Sequence, residues 1–259
     1  MRDVQQRGGD EFAYRLELRV EQPDFELRTT PASINLAAGG SAPLTVHVLR
    51  RDGFAGPVRL RVMDAPEGFH LDGGVIPAGA DRVRCTLTVP RGTPAGTRPL
   101  VLEGAARIGD REVRHPALPA EDMMQAFLYR HLVRMERGLL TITGPAKMAL
   151  AVREPAGPGD KPLRLPCGGP VKIVLGNALG KKIWGNPHVE LSDPPPGLQM
   201  GEVKFLGEQN RIEVTITTDA ALCKPGMAGN LVFNLLASST RKNVLCTAPA
   251  LPYEITAAP

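Results

Sequence analysis

Short runs in which every second residue is apolar recur along this chain, separated by turns rich in glycine and proline. Alternation of this kind marks strands with one buried and one exposed face. In residues 41–51, Leu44, Val46 and Val48 point one way, with Thr45 and His47 pointing the other. Val58, Leu60 and Val62 alternate with Arg59 and Arg61, and Val83, Cys85, Leu87 and Val89 alternate with Arg84, Thr86 and Thr88. Asp52-Gly53, Ala65-Pro66-Glu67-Gly68 and Gly109-Asp110 supply turn chemistry between them, the last as a Gly-first two-residue hairpin flanked by Ile108 and Val113. The same scheme returns with Val171, Ile173 and Leu175, then Val189 and Leu191, then Ile212, Val214 and Ile216, then Leu231, Phe233 and Leu235. Tyr253 and Ile255 suit a final strand.

These two series are in phase. Leu36 to Ser41 (LAAGGS) lies 129 positions before Leu165 to Pro170 (LPCGGP), and Leu60 to Leu71 lies 129 before Val189 to Met200. Gly68 and Gly197, and Leu87 and Ile216, keep the same separation. A constant offset of domain size predicts two copies of one unit, over residues 23–143 and 144–259. Turns every 8–12 residues with clean alternation predict the fold class: all-β, two tandem immunoglobulin-like antiparallel β-sandwiches. The inward set should include Val46, Val48, Leu60, Val62, Cys85, Leu87, Ile173, Leu175, Leu191, Val214, Ile216 and Phe233.

Two segments stand outside the scheme. Residues 13–20 (AYRLELRV) put Tyr14, Leu16, Leu18 and Val20 on one face and Arg15, Glu17 and Arg19 on the other. With no partner nearby in sequence, residues 1–22 read as an orphan strand, either docked on the first copy or ending a preceding domain. In residues 119–134, Met124, Phe127, Leu128 and Leu132 keep helical spacing behind acidic Glu121 and Asp122. A short helix and a strand both fit residues 121–132.

Composition agrees with a strand-and-turn chain: 42% hydrophobic, 22% charged, 25 Pro, 28 Gly and only 4% aromatic. The net charge of +4 is spread thinly. The first copy has 15 Arg, no Lys and 13 acidic residues, and the second 8 Lys, 4 Arg and 9 acidic residues. Interspersed charge lacks the basic stripe that phosphate backbones favour, so no nucleic-acid partner is expected. Cys85, Cys167, Cys223 and Cys246 form no C-x-x-C motif and no disulfide framework, although Cys223 and Cys246 could pair within the second copy. Cys85, in phase with Val83 and Leu87, should be a small buried hydrophobe. No apolar run reaches membrane-spanning length, and no apolar signal region follows Met1, so an export signal would lie upstream of this chain.

Residues that could carry chemistry are few. Gly176 to Lys182 (GNALGKK) follows an apolar strand, but it is one spacer short of a phosphate loop and has Lys182 where a Ser or Thr is needed. His47, His70, His115, His131 and His188 never fall at metal spacing. Ser41 lacks the second glycine of a nucleophile elbow, and the carboxylates are scattered singly on turns. Trp184 and His188, with Asn186 and Glu190 nearby, and Tyr129 are the candidate ligand-binding residues. No catalytic, cofactor-binding or metal-ligating residue is assigned and no cofactor is expected. An enzyme would need Asp122, Tyr129 and His131 to converge between the copies.

One resemblance adds to this reading. Asp24 to Ala106 resembles the immunoglobulin-like modules near the C-termini of large exported proteins of planctomycete, verrucomicrobial and related bacteria, through RRDGFAGPVRL (50–60), DAPEGFHLDGG (64–74) and VIPAGADRVRCTLTVP (75–90). PAEDMMQAFLYRHL (119–132) carries the likeness further. GGDEFAYRLELRV (8–20) resembles the last strand of a bacterial pre-peptidase C-terminal domain. LRLPCGGPV (163–171), ELSDPPPGL (190–198) and CKPGMAGNLVFNL (223–235) resemble a more divergent module of the same group. The resemblance implies an exported location, periplasmic or extracellular, and a non-catalytic binding or spacer role in a multidomain protein. It implies no functional residues. The alternative is a carbohydrate-binding adjunct of a secreted hydrolase. The expected partner is a protein or polysaccharide, and the expected state a monomer or weak oligomer.

Overall fold

Alternation in the first half produces twelve strands. They are β1 (Asp24–Thr30), β2 (Ser33–Ala38), β3 (Ser41–Arg51), β4 (Val58–Val62), β5 (His70–Asp72), β6 (Val75–Ile76), β7 (Arg82–Thr88), β8 (Gly96–Pro99), β9 (Leu102–Ile108), β10 (Arg111–Gln125), β11 (Tyr129–Arg134) and β12 (Leu139–Pro145). The second half adds β13 (Leu150–Glu154), β14 (Leu163–Pro166), β15 (Pro170–Asn177), β16 (His188–Leu191), β17 (Leu198–Leu206), β18 (Arg211–Thr218), β19 (Ala228–Leu231), β20 (Phe233–Leu236), β21 (Val244–Thr247) and β22 (Leu251–Thr256). The computed structural model describes residues 20–127, 129–154, 162–180, 183, 187–207, 210–237 and 243–258. Every element among them is a β-strand, so the all-β expectation holds. None is a helix long and apolar enough to cross a membrane.

In the first half, a nine-stranded sheet runs β5-β7-β3-β1-β10-β9-β4-β6, with β11 also paired to β10, and a second sheet runs β2-β12-β8. β1 joins β10 in parallel, and β2 joins β12 in parallel. Between these sheets lies a core that includes Phe25, Leu27, Leu36, Leu44, Val46, Ile76, Leu87 and Leu140. Each fully buried leucine or phenylalanine contributes about 1.5–3 kcal/mol by leaving water. In β9 a Cβ on Gly104 would overlap Leu27 and crowd Val58, so only glycine lets those side chains meet across the sheet. The Gly109-Asp110 loop is the expected two-residue hairpin, with Gly109 at φ +58° and Arg111 opposite Ile108.

Three sheets build the second half: β13-β15-β18-β17, β14-β22-β19 and β16-β20-β21. They enclose a separate core that includes Leu165, Ile173, Leu175, Val214, Ile216, Phe233, Leu235 and Ile255. Of the twelve residues expected to face inward, eleven are buried and Val62 is partly buried against the first core. The register read from alternation is therefore correct on both halves.

Two expectations are corrected or decided. Cys223 and Cys246 do not pair: all four cysteines are free. The Cys223 thiol instead donates to the Gly197 carbonyl at 3.3 Å, while Cys246 lies in β21 opposite Leu235. Residues 121–125 and 129–132 are strand, not helix, because β10 and β11 form a hairpin in which Ala120 faces Arg134 and Gln125 faces Tyr129. The helical spacing of Met124 and Phe127 signified nothing, since neither residue covers a core: Met124 is exposed and Phe127 is 96% exposed. The strand expected over residues 13–20 lies outside the described residues except for Val20, which is exposed.

Candidate functional site

The row of polar residues that alternation turns outward from β3 and β7 is not in water. Thr45 and Thr86 are buried, although they point away from the first core. The second half covers them. The Ala250 amide donates to Thr86 Oγ1 at 2.7 Å, and Arg84 Nη2 donates to Ser192 Oγ at 2.8 Å. Asn230 Nδ2 donates to the carbonyls of Gly73, at 2.7 Å, and Arg84, at 2.9 Å. A Cβ on Gly73 would overlap the Asn230 carboxamide, and Gly73 also holds φ +70°, so both space and backbone require glycine there. The segment between β12 and β13 is tied down as well: the Ala146 amide donates to Ala38 and the Ala178 amide to Ala149. The halves are thus joined by a hydrogen-bonded junction, with buried polar groups that have partners only while it is closed.

A polar cavity of about 370 Å³ opens at this junction. The first sheet contributes Thr45 and His47 from β3 and Arg82 and Arg84 from β7. Glu121 and Asp122 from β10 and Arg130 from β11 form a second wall, and Asp193, just after β16, a third. Arg82 pairs with Asp193 at 3.4 Å and Arg130 with Asp122 at 3.1 Å. Glu121 Oε1 accepts from the Ala32 amide at 2.9 Å. Among the described residues Arg84 has only neutral hydrogen-bond partners for its guanidinium, Thr45 Oγ1 at 3.2 Å and Ser192 Oγ, and its buried Nε–H has no acceptor. Burial pushes the Arg84 pKa down from its usual value, against the pull of Asp193. His47, half-buried with Nε2 3.3 Å from Thr30 Oγ1, is also lowered by burial and then by Arg82, opposed by Asp122 and Asp193. Such a site can orient a charged, hydrogen-bonding ligand.

A second cleft of about 620 Å³ lies between the β2–β3 turn, the β12–β13 connection and β21, lined by Ala37, Pro43, Met148, Val244 and Leu245. Cys246 also borders it, its thiol pushed up to about 11 by burial.

The β10–β11 hairpin carries the largest concentration of exposed apolar side chains, Met123, Met124, Phe127 and Tyr129. At its tip Ala126 and Phe127 hold φ +50° and +58°, a left-handed conformation that residues other than glycine rarely adopt.

Of the residues singled out in sequence, Asp122 alone enters the polar cavity. Tyr129 is 61% exposed on the hairpin, its ring 6.5 Å from that of His131. His188 is exposed at the start of β16. Trp184, Asn186, Lys181 and Lys182 lie outside the described residues. Arg84 and His47 were missed because alternation labelled them ordinary outward residues, and Asp193 because it belongs to a proline-rich turn. The only warning signal was charge: arginines repeated on β7 beside a histidine on β3. Among the described residues no group of His, Cys, Asp and Glu is arranged to hold a metal ion. Comparison with protein-family models and with curated proteins finds no match to this chain.

Proposed function

We propose that the chain is a pair of immunoglobulin-like β-sandwiches, two copies of one unit, serving as a rigid non-catalytic spacer and binding module of an exported bacterial multidomain protein. Equivalent backbone detail supports the duplication. Ser41 pairs with Thr88 and Pro170 with Thr217, each partner shifted by 129. His70 opposite Thr88 and Gln199 opposite Thr217 repeat the relation. Positive φ recurs at Gly39 and Gly168, at Asp64 and Asp193, and at Gly68 and Gly197. The parallel pair of β2 with β12 has its counterpart in β14 with β22. What the first copy has in addition is the β10–β11 hairpin, which makes it the natural place for a partner protein to bind.

The hydrogen-bonded junction carries the spacer reading, since flexible tethering would need none of it. Burial pushes the Cys85 thiol up to about 12, which suppresses the reactive thiolate and lets a free cysteine persist in an oxidising compartment. Spin labels at exposed Arg111→Cys and Lys224→Cys, in a Cys167→Ser background, test rigidity by electron–electron distance measurement. A single narrow distance distribution is expected. A broad distribution would contradict a rigid spacer.

The exposed ring of Tyr129 favours one second reading, a carbohydrate-binding adjunct in which that ring stacks on a sugar. A glycan array with the wild-type chain and Tyr129→Ala tests it. Binding that disappears in the variant supports the reading, and an empty array removes it.

A further inference from the structure

We propose that the polar cavity at the junction binds an acidic sugar, a hydroxylated ligand bearing one carboxylate. A guanidinium withdrawn from water is unfavourable unless an anion or a full set of acceptors compensates it. Arg84 has two hydroxyl partners, one from each half of the molecule, and no carboxylate pairs with it among the described residues. Its neighbour Arg82, paired with Asp193 at 3.4 Å, lines the same cavity, and His47, whose pKa is lowered, adds a hydrogen-bonding ring to it.

The opposite wall decides the class of anion. Glu121, Asp122 and Asp193 also border the space. Three carboxylates would repel a doubly charged phosphate or sulfate ester, but they are good acceptors for hydroxyl groups. A single planar carboxylate suits the guanidinium fork, and ring hydroxyls suit the acidic wall. The volume, about 370 Å³, is at the small-ligand scale. A uronic acid, free or at the end of an acidic polysaccharide, meets each requirement. Because Asp193 and Ser192 come from the second half, the bound ligand would bridge the two copies. This site is separate from the exposed hairpin ring and does not depend on it.

Isothermal titration of the intact chain with digalacturonate, with neutral galactobiose and with inorganic phosphate tests the proposal. Digalacturonate should bind with a Kd of about 0.1–1 mM, in the range of weak sugar recognition, and the other two at least about tenfold more weakly. Arg84→Lys keeps the charge but loses the fork, and should weaken digalacturonate binding about tenfold. Should Arg84→Lys fail to fold, Arg82→Gln replaces it, since that side chain is half exposed and its loss should still reduce affinity severalfold. Equal affinity for galactobiose, phosphate binding as tight as digalacturonate, no binding at all, or full affinity in the folded variant would each overturn the proposal.

Discussion

Replacing Asn230 with alanine removes one side chain that makes two of the bonds holding the halves together. The carboxamide donates to Gly73 and Arg84 at 2.7 and 2.9 Å, and each such bond contributes about 0.5–1.5 kcal/mol net. Asn230→Ala should therefore destabilise the chain by about 1–3 kcal/mol. Gly73→Ala acts on the same contact from the other side. Its Cβ would displace the Asn230 carboxamide, and the left-handed φ of +70° adds about 1–2 kcal/mol of backbone strain. In the double variant the overlap is gone and only the strain remains beyond the lost bonds. The two single losses should then fail to add, with an interaction of about 1–3 kcal/mol. Urea denaturation followed by circular dichroism, with the four proteins compared at one temperature, measures this cycle. Additive losses would show that Asn230 and Gly73 do not meet, and the junction described here would be wrong.

Other consequences follow from single sites. Leu87→Ala and Ile216→Ala, fully buried at equivalent places in the two cores, should each lose about 2–5 kcal/mol in the same denaturation assay. Phe127→Gly should be neutral or stabilising by up to about 1 kcal/mol, because it removes an exposed ring and relieves a positive φ; a clear loss in thermal midpoint would mean that the ring packs on something. The His47 pKa is lowered in the folded chain, chiefly by burial, so the unfolded chain binds the proton more readily. Its contribution to stability is complete above pH 6.5 and is lost as pH falls below that value through the folded pKa, in the presence of Arg82, Asp122 and Asp193 around it. His47→Gln should reduce the acid-side fall in midpoint, and an unchanged pH profile would contradict the assignment. Thiol titration should find four reactive cysteines after unfolding without reductant, and fewer would indicate a disulfide.

How far the sequence carries the structure depends on what each residue has to reveal. Leu87 and Ile216 disclose their orientation because a two-residue period can place only one face of a strand in the core. Gly109-Asp110 discloses a hairpin because few turns join strands in two residues. Thr86 and Arg84 are different. Their outward orientation was legible, but the surface covering them comes from Ser192, Asn230 and Ala250, more than 100 positions away. No local pattern encodes that distance. Val62 sits at the end of β4, where the sheet no longer covers it completely. The β10–β11 hairpin was ambiguous for a related reason: Met124, Phe127 and Leu132 match a helical stripe, yet an exposed hairpin imposes no period on its apolar residues. The polar cavity draws on five separated segments and could not be assembled from spacing.

Amide hydrogen exchange at Ala250 tests whether the two halves are locked face to face. Its N–H donates to Thr86 Oγ1 across the junction. Thr86→Val keeps the side-chain volume nearly constant but removes the acceptor, and it lies wholly in the first half. The Ala250 amide should be strongly protected in the wild-type chain and exchange faster in Thr86→Val, while the amides of Ile216 and Val214 stay unchanged. An Ala250 amide that exchanges at the same rate in both proteins would contradict the junction.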